Sequence, residues 1–219
     1  MSKGAQDDGQ RLKSLRPWFL VAAMVVTWLS GVYGVTMGCG TVVYLREGRV
    51  PDDTFAIVDA QAIADPSAAI DNYRTGAELR AIAAFGKIML PLSVAQVLLS
   101  ILLVAASAMA LAGRPGARSF ALQTLAANAV FAAIAYAAKQ DLRAHWVNAT
   151  VDAASQLNGA PILDLHTSAS WYWVTRIKLA IFELGVIGFA VFALLSKRTT
   201  AFFDAVARAE ERREREDEP

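Results

Sequence analysis

The sequence predicts an all-α membrane protein: a four-transmembrane-helix bundle with two polar extracytoplasmic loops and a charged C-terminal helix. Two observations predict it. Apolar residues make up 55% of the 219 positions and gather into four blocks of about 19 to 28 residues, with nearly all charge between them. A soluble core would instead spread them at helical or strand spacing. The blocks also lack the period-two alternation of barrel strands, and the helix is the other backbone form that satisfies its own hydrogen bonds in lipid.

Charge and cysteine content narrow the partners. The formal net charge is +1 and the basic residues are scattered, so no nucleic-acid footprint is present. A single cysteine, Cys39, excludes an intramolecular disulfide. The expected partners are the lipid bilayer and either other proteins or further copies of the same chain. No cofactor is expected.

Residues 1–16 are a basic N-terminal segment carrying Lys3, Arg11, Lys13 and Arg16 against Asp7 and Asp8. The apolar run that follows reaches about Leu45, longer than the core of about 7 to 15 residues in a signal peptide, so it reads as a retained span over about 17–44. Cys39 lies in TMGCG, a loose match to a lipoprotein cleavage site, because Thr36 stands where an aliphatic residue belongs. Within this span Ser30, Gly34 and Gly38 recur every four residues, with Gly31 and Gly40 beside them. Small residues on one face let a second helix approach closely, which is the packing force left where hydrophobic sorting is absent.

The first polar loop is expected over about 45–86, with a turn at Asp65-Pro66-Ser67 and a capping box formed by Thr75 and Glu78. The helix that this box opens runs toward Phe85 and can merge with the second span, about 87–112. Pro91 is tolerated if that span begins at Lys87 and kinks it if the helix is continuous from Thr75. Arg114-Pro115-Gly116 makes a tight turn into the third span, about 119–138, whose alanines and polar Gln123, Thr124 and Asn128 suit an enclosed helix.

A second outer loop is expected over about 139–173 and contains both histidines, His145 and His166. The fourth span, about 174–195, follows the aromatic collar Trp171-Tyr172-Trp173 and is closed by Lys197 and Arg198. Residues 199–219 read as a cytoplasmic tail helix, because Asp204–Arg208 and Glu211–Arg215 are acid-before-base pairs at a spacing of four. Cations near the ends of the spans favour both termini in the cytoplasm. With no targeting extension before the first span, a prokaryotic inner (plasma) membrane is the expected location. The inverted orientation stays open, since Arg46, Arg49, Lys87, Lys139 and Arg143 lie near the opposite ends.

The chemistry the sequence offers is an intramembrane polar layer. Glu183 is the charged residue deepest in any apolar run, and Gln96 and Asn128 fall at similar distances from their span ends, with Tyr33 at comparable depth. Arg176 lies seven residues before Glu183, two turns away on the same stripe. A carboxyl group in hydrocarbon favours its neutral form, which suits either a proton carrier or a structural hydrogen bond to an amide. His145 and His166, four and two residues from Asp141 and Asp164, are weak metal candidates, since no HExxH or cysteine pair accompanies them. No GxSxG, phosphate loop or CxxC is present.

Two shorter signals remain. Asn148-Ala149-Thr150 is a glycosylation sequon, and Val58-Asp59-Ala60 with Asp71 is echoed by Val151-Asp152-Ala153 with Asp164. The leading functional expectation is a non-enzymatic assembly, scaffold or sensory component of a membrane complex. The alternative is a small proton-coupled transporter or channel using Glu183.

Overall fold

The computed structural model describes residues 16–47, 76–156, 177, 182 and 184–217, with backbone alone at 149–156, 213, 216 and 217. Among these the chain is helical, with short turns between helices. The helices are α1 (Trp18–Glu47), α2 (76–84), α3 (Gly86–Ala112), α4 (Ala117–Ala138), α5 (Gln140–Gln156), α6 (Gly185–Leu195) and α7 (Lys197–Asp217). Three of them, α1, α3 and α4, are long and apolar enough to cross a membrane, and the bent pair of α6 and α7 is a fourth candidate. An all-α membrane protein is therefore the class, with three or four spans.

The described residues fall into two compact units. The first draws on positions 1–36, 96–131 and 181–219, the second on 37–95 and 132–180. In the first unit the buried positions of α3 include Ser100, Leu103, Ser107 and Ala110, and those of α4 include Ala117, Ala121 and Thr124. Leu20, Met24, Thr27 and Gly31 form the matching row on α1. Steps of three and four along the three helices taken together average about 3.5 residues, the spacing at which helices share a continuous seam. The seam is filled by small residues, hydroxyls and a few Leu and Met side chains. Exposed residues such as Leu29, Val32, Leu98, Ile101 and Val130 cover the outer faces.

The turn between α3 and α4 follows from its glycines. Gly113 has φ 67°, its amide donates to the Ala110 carbonyl at 3.1 Å, and the Arg114 amide donates to Met109 at 3.1 Å. This is the Schellman arrangement, in which a left-handed residue just past the helix satisfies its last carbonyls. Gly116, φ 72°, completes the reversal before Ala117.

In the second unit, Ala77 and Ala81 of α2 pack with Met89, Leu142, Trp146 and Val147, and Leu45 lies against them. The Tyr44 hydroxyl donates to the Leu79 carbonyl at 3.1 Å, tying the end of α1 to α2. The helix expected to run toward Phe85 is present at 76–84, and 140–156 is a helix where a loop was expected. The reason is visible in α5, which has neither Gly nor Pro and carries Leu142, Trp146 and Val147 on one stripe. A polar composition concealed an amphipathic helix. Residues 1–15, 48–75 and 157–176, including the Asp65-Pro66-Ser67 turn, Thr75 and the aromatic collar, lie outside the described residues.

The expected merger of α2 with the second span is nearly realised. The break falls at Phe85, whose amide donates to Ala81 at 3.1 Å and whose carbonyl accepts from Met89 at 2.9 Å. Pro91 stands inside α3, in its second turn, where its missing amide leaves the Lys87 carbonyl without a helical donor. A similar near-continuity joins α4 to α5, since Lys139 donates to Ala135 and accepts from Arg143, both at 3.0 Å.

Candidate functional site

Of the residues expected in the polar layer, Gln96, Asn128 and Tyr33 are described and belong to the first unit. Asn128 of α4 is half-buried, and its Nδ2 donates to the Thr124 carbonyl of its own helix at 2.9 Å and to the Leu99 carbonyl of α3 at 3.4 Å. One amide thus bridges two helices through carbonyls that already serve the helical ladder. Gln96 lies one turn before Ser100 on the seam of α3 and is half-buried, with no bond shown to Asn128. Tyr33 does not join the layer, because it is 61% exposed on an outer face of α1. Glu183 and Arg176 lie outside the described residues.

The small-residue face is a true close contact. A methyl group built on Gly34 would overlap Ser100 Oγ, and one on Gly31 would come within 2.8 Å of Val104 Cγ2 and 3.0 Å of the Ser100 carbonyl oxygen. Gly34 meets α3 and Gly38 is buried, while Ser30 is half-buried and its neighbour Gly31 also meets α3. A row of strict fours inclines away from the helix axis, while the pair at a spacing of three stays on the shared seam. Gly40 meets nothing within 4 Å.

Buried hydroxyls on this seam are satisfied locally. Thr27 donates to Ala23 at 2.8 Å, and farther along α1 Thr36 and Thr41 bond to Val32 and Met37 in the same way. Back-bonding of this kind lets a threonine sit in an apolar helix without an unpaired hydroxyl.

Ser196 makes a second polar arrangement that the sequence reading missed. It ends α6 with φ −61° and ψ 144°, and α7 leaves at 58° to α6. Its Oγ accepts from the Thr199 amide at 3.2 Å, the geometry of an N-cap, and lies 3.1 Å from the Ala193 carbonyl, to which it can donate. One serine therefore closes one helix and opens the next. The legible signal was Ser196 preceding a run whose apolar positions shift from the continuous pattern of a span to the stripe Phe202, Phe203, Val206.

Of the two metal candidates, His145 lies among the described residues. His145 is exposed on α5 and sits edge-on to Phe85 with centroids 6.1 Å apart, and His166 lies outside the described residues. Among the described residues no group of three or more His, Cys, Asp or Glu is placed to hold a metal ion. A few residues from His145, Arg143 is 9% exposed, its guanidinium 4.0 Å from the Tyr136 ring centroid and its Nη2 bonded to the Tyr136 carbonyl. The spacing of seven between Tyr136 and Arg143 is the signal that would have found this pair. No family model matches the chain, and neither a curated protein nor a solved structure shows significant similarity to it.

Proposed function

We propose that the chain is a non-enzymatic integral membrane protein, an assembly, scaffold or sensory component of a membrane complex, built as a four-span bundle in a prokaryotic inner membrane with both termini cytoplasmic. The observation that carries this reading is where the interior polar groups point. Both amide hydrogens of Asn128 are directed to backbone carbonyls, and Gly31 and Gly34 bring α1 against Ser100 and Val104. These groups hold helices together instead of lining a path. The tail adds support: α7 is anchored by buried Phe202, Phe203 and Val206, while Arg208, Glu210, Glu211 and Arg212 are exposed. A rooted helix with a charged outer end suits a protein partner or a second copy of the chain.

The test is purification from native membranes at native expression in a mild detergent. A discrete co-purifying chain or a homo-oligomer is expected. A monodisperse monomer with no companion would overturn the proposal.

The second reading is a proton-coupled carrier, and one observation favours it. With the amide hydrogens of Asn128 engaged, its Oδ1 is the acceptor that a neutral Glu183 would need. Proton or ion flux in liposomes that Glu183→Gln abolishes, with folding intact, would replace the first reading by this one.

A further inference from the structure

One end of the first unit concentrates positive charge where four apolar segments stop. Trp18 opens α1, Ala112 closes α3, Ala117 opens α4 and Leu195 closes α6. In a bilayer such a boundary is the headgroup layer, and Trp18, 77% exposed, is a residue type that settles there. Arg16, Arg114, Arg118, Lys197 and Arg198 all belong to this boundary.

Contacts within the unit draw these cations together. Arg118 Nε donates to the Leu194 carbonyl at 3.0 Å, three residues before the exposed Lys197. The Arg16 guanidinium carbon is 5.6 Å from the centroid of the Phe202 ring, and a methyl group on Gly113 would lie 3.2 Å from that ring and 3.4 Å from Arg16 Nη2. Arg16 Nε is enclosed without a hydrogen-bond partner. Across residues 16–36, 96–131 and 184–209, Asp204 is the single carboxylate. Along these stretches the five cations of the cluster stand against one carboxylate.

We propose that this cluster binds the phosphate of an anionic phospholipid headgroup. Guanidinium groups suit phosphate because their forked donors match its oxygens, and ammonium groups add charge. Arg118 and Arg16 are already held by the Leu194 carbonyl and the Phe202 ring, so less side-chain freedom is lost on binding. Lys197 and Arg198 are exposed and supply the reach to the lipid. The apolar face of α7 is occupied by the core of the unit, so charge, and not insertion of that face, provides the selectivity.

The experiment uses the full chain in a neutral detergent, with phosphatidylglycerol, phosphatidylcholine of the same acyl chains, or inorganic phosphate added. Phosphatidylglycerol is expected to raise the thermal unfolding midpoint by several degrees, with the other two inactive. The variant Lys197→Gln/Arg198→Gln should keep its midpoint in plain detergent and lose at least half of the lipid shift. Arg212→Gln/Arg215→Gln, farther along α7, should retain it. Equal shifts with both lipids, a shift from free phosphate, a full shift in the first variant or an equal loss in the second would each overturn the proposal. If the first variant does not fold, native mass spectrometry of the unaltered chain from mixed-lipid nanodiscs decides: enrichment of phosphatidylglycerol upholds the site, and retention in the supplied ratio overturns it.

Discussion

At Gly31 and Gly34 the absent side chain sets how closely α1 meets α3, and the two positions differ in what a methyl group would strike. At Gly34 it strikes a hydroxyl, Ser100 Oγ, which can be removed; at Gly31 it meets the Ser100 backbone oxygen, which cannot. Gly34→Ala should therefore destabilise the chain by about 1–3 kcal/mol, as overpacking does, with part of the loss recovered in Gly34→Ala/Ser100→Ala. Gly31→Ala should lose a similar amount and gain nothing from Ser100→Ala, while Gly40→Ala, facing open space, should be neutral. Chemical unfolding in detergent reads all five variants. At Asn128 the bridge to Leu99 is a hydrogen bond between helices, so Asn128→Leu should cost on the order of 0.6–2 kcal/mol by the same assay. A more stable Asn128→Leu would mean that the bridge does not hold α3 and α4 together.

The elements were legible where hydrophobicity was continuous and obscure where it was periodic. The turn at Arg114-Pro115-Gly116 and the end of the fourth apolar run at Leu195 stand where sequence chemistry places them. The helical character of 140–156 was hidden because its apolar residues are few, and their stripe gains meaning when Ala77 and Ala81 arrive from a distant part of the chain to cover it. At Asn128, depth along the helix did not say whether its partner would be a side chain or the Leu99 backbone. Ser196 makes a test at this scale. Ser196→Ala removes the acceptor for the Thr199 amide and should cost about 0.5–2 kcal/mol, whereas Ser196→Asp should keep the cap. Phe202→Ala removes a ring that is 2% exposed in the core of the first unit and should cost about 3–5 kcal/mol. Limited proteolysis should then cut α7 faster in Phe202→Ala and Ser196→Ala than in the unaltered chain. Equal cutting in all three would mean that neither contact anchors the tail.

For the molecule as a whole, contacts inside the first unit bear on how often the chain crosses the bilayer. Arg118, in the first turn of α4, bonds to Leu194 at the end of α6, and Phe202 lies beside both Arg16 and Gly113. The start of α1, the α3–α4 turn and the Ser196 bend therefore share one end of that unit. Helix α4 begins at that end and is 22 residues long, about 33 Å, which matches a hydrocarbon layer of about 30 Å. Helix α5 follows at its other terminus. A tail that packs beside the start of α4 should thus face the same compartment as the α3–α4 turn, opposite to α5, as four crossings require. The single cysteine makes this measurable. In a Cys39→Ser background, Ser119→Cys and Glu211→Cys should react with a membrane-impermeant maleimide from one side of sealed vesicles, and Asn148→Cys from the other. Labelling of Glu211→Cys together with Asn148→Cys would instead mean three crossings, and with them a tail that reaches the α3–α4 turn in no membrane-embedded state.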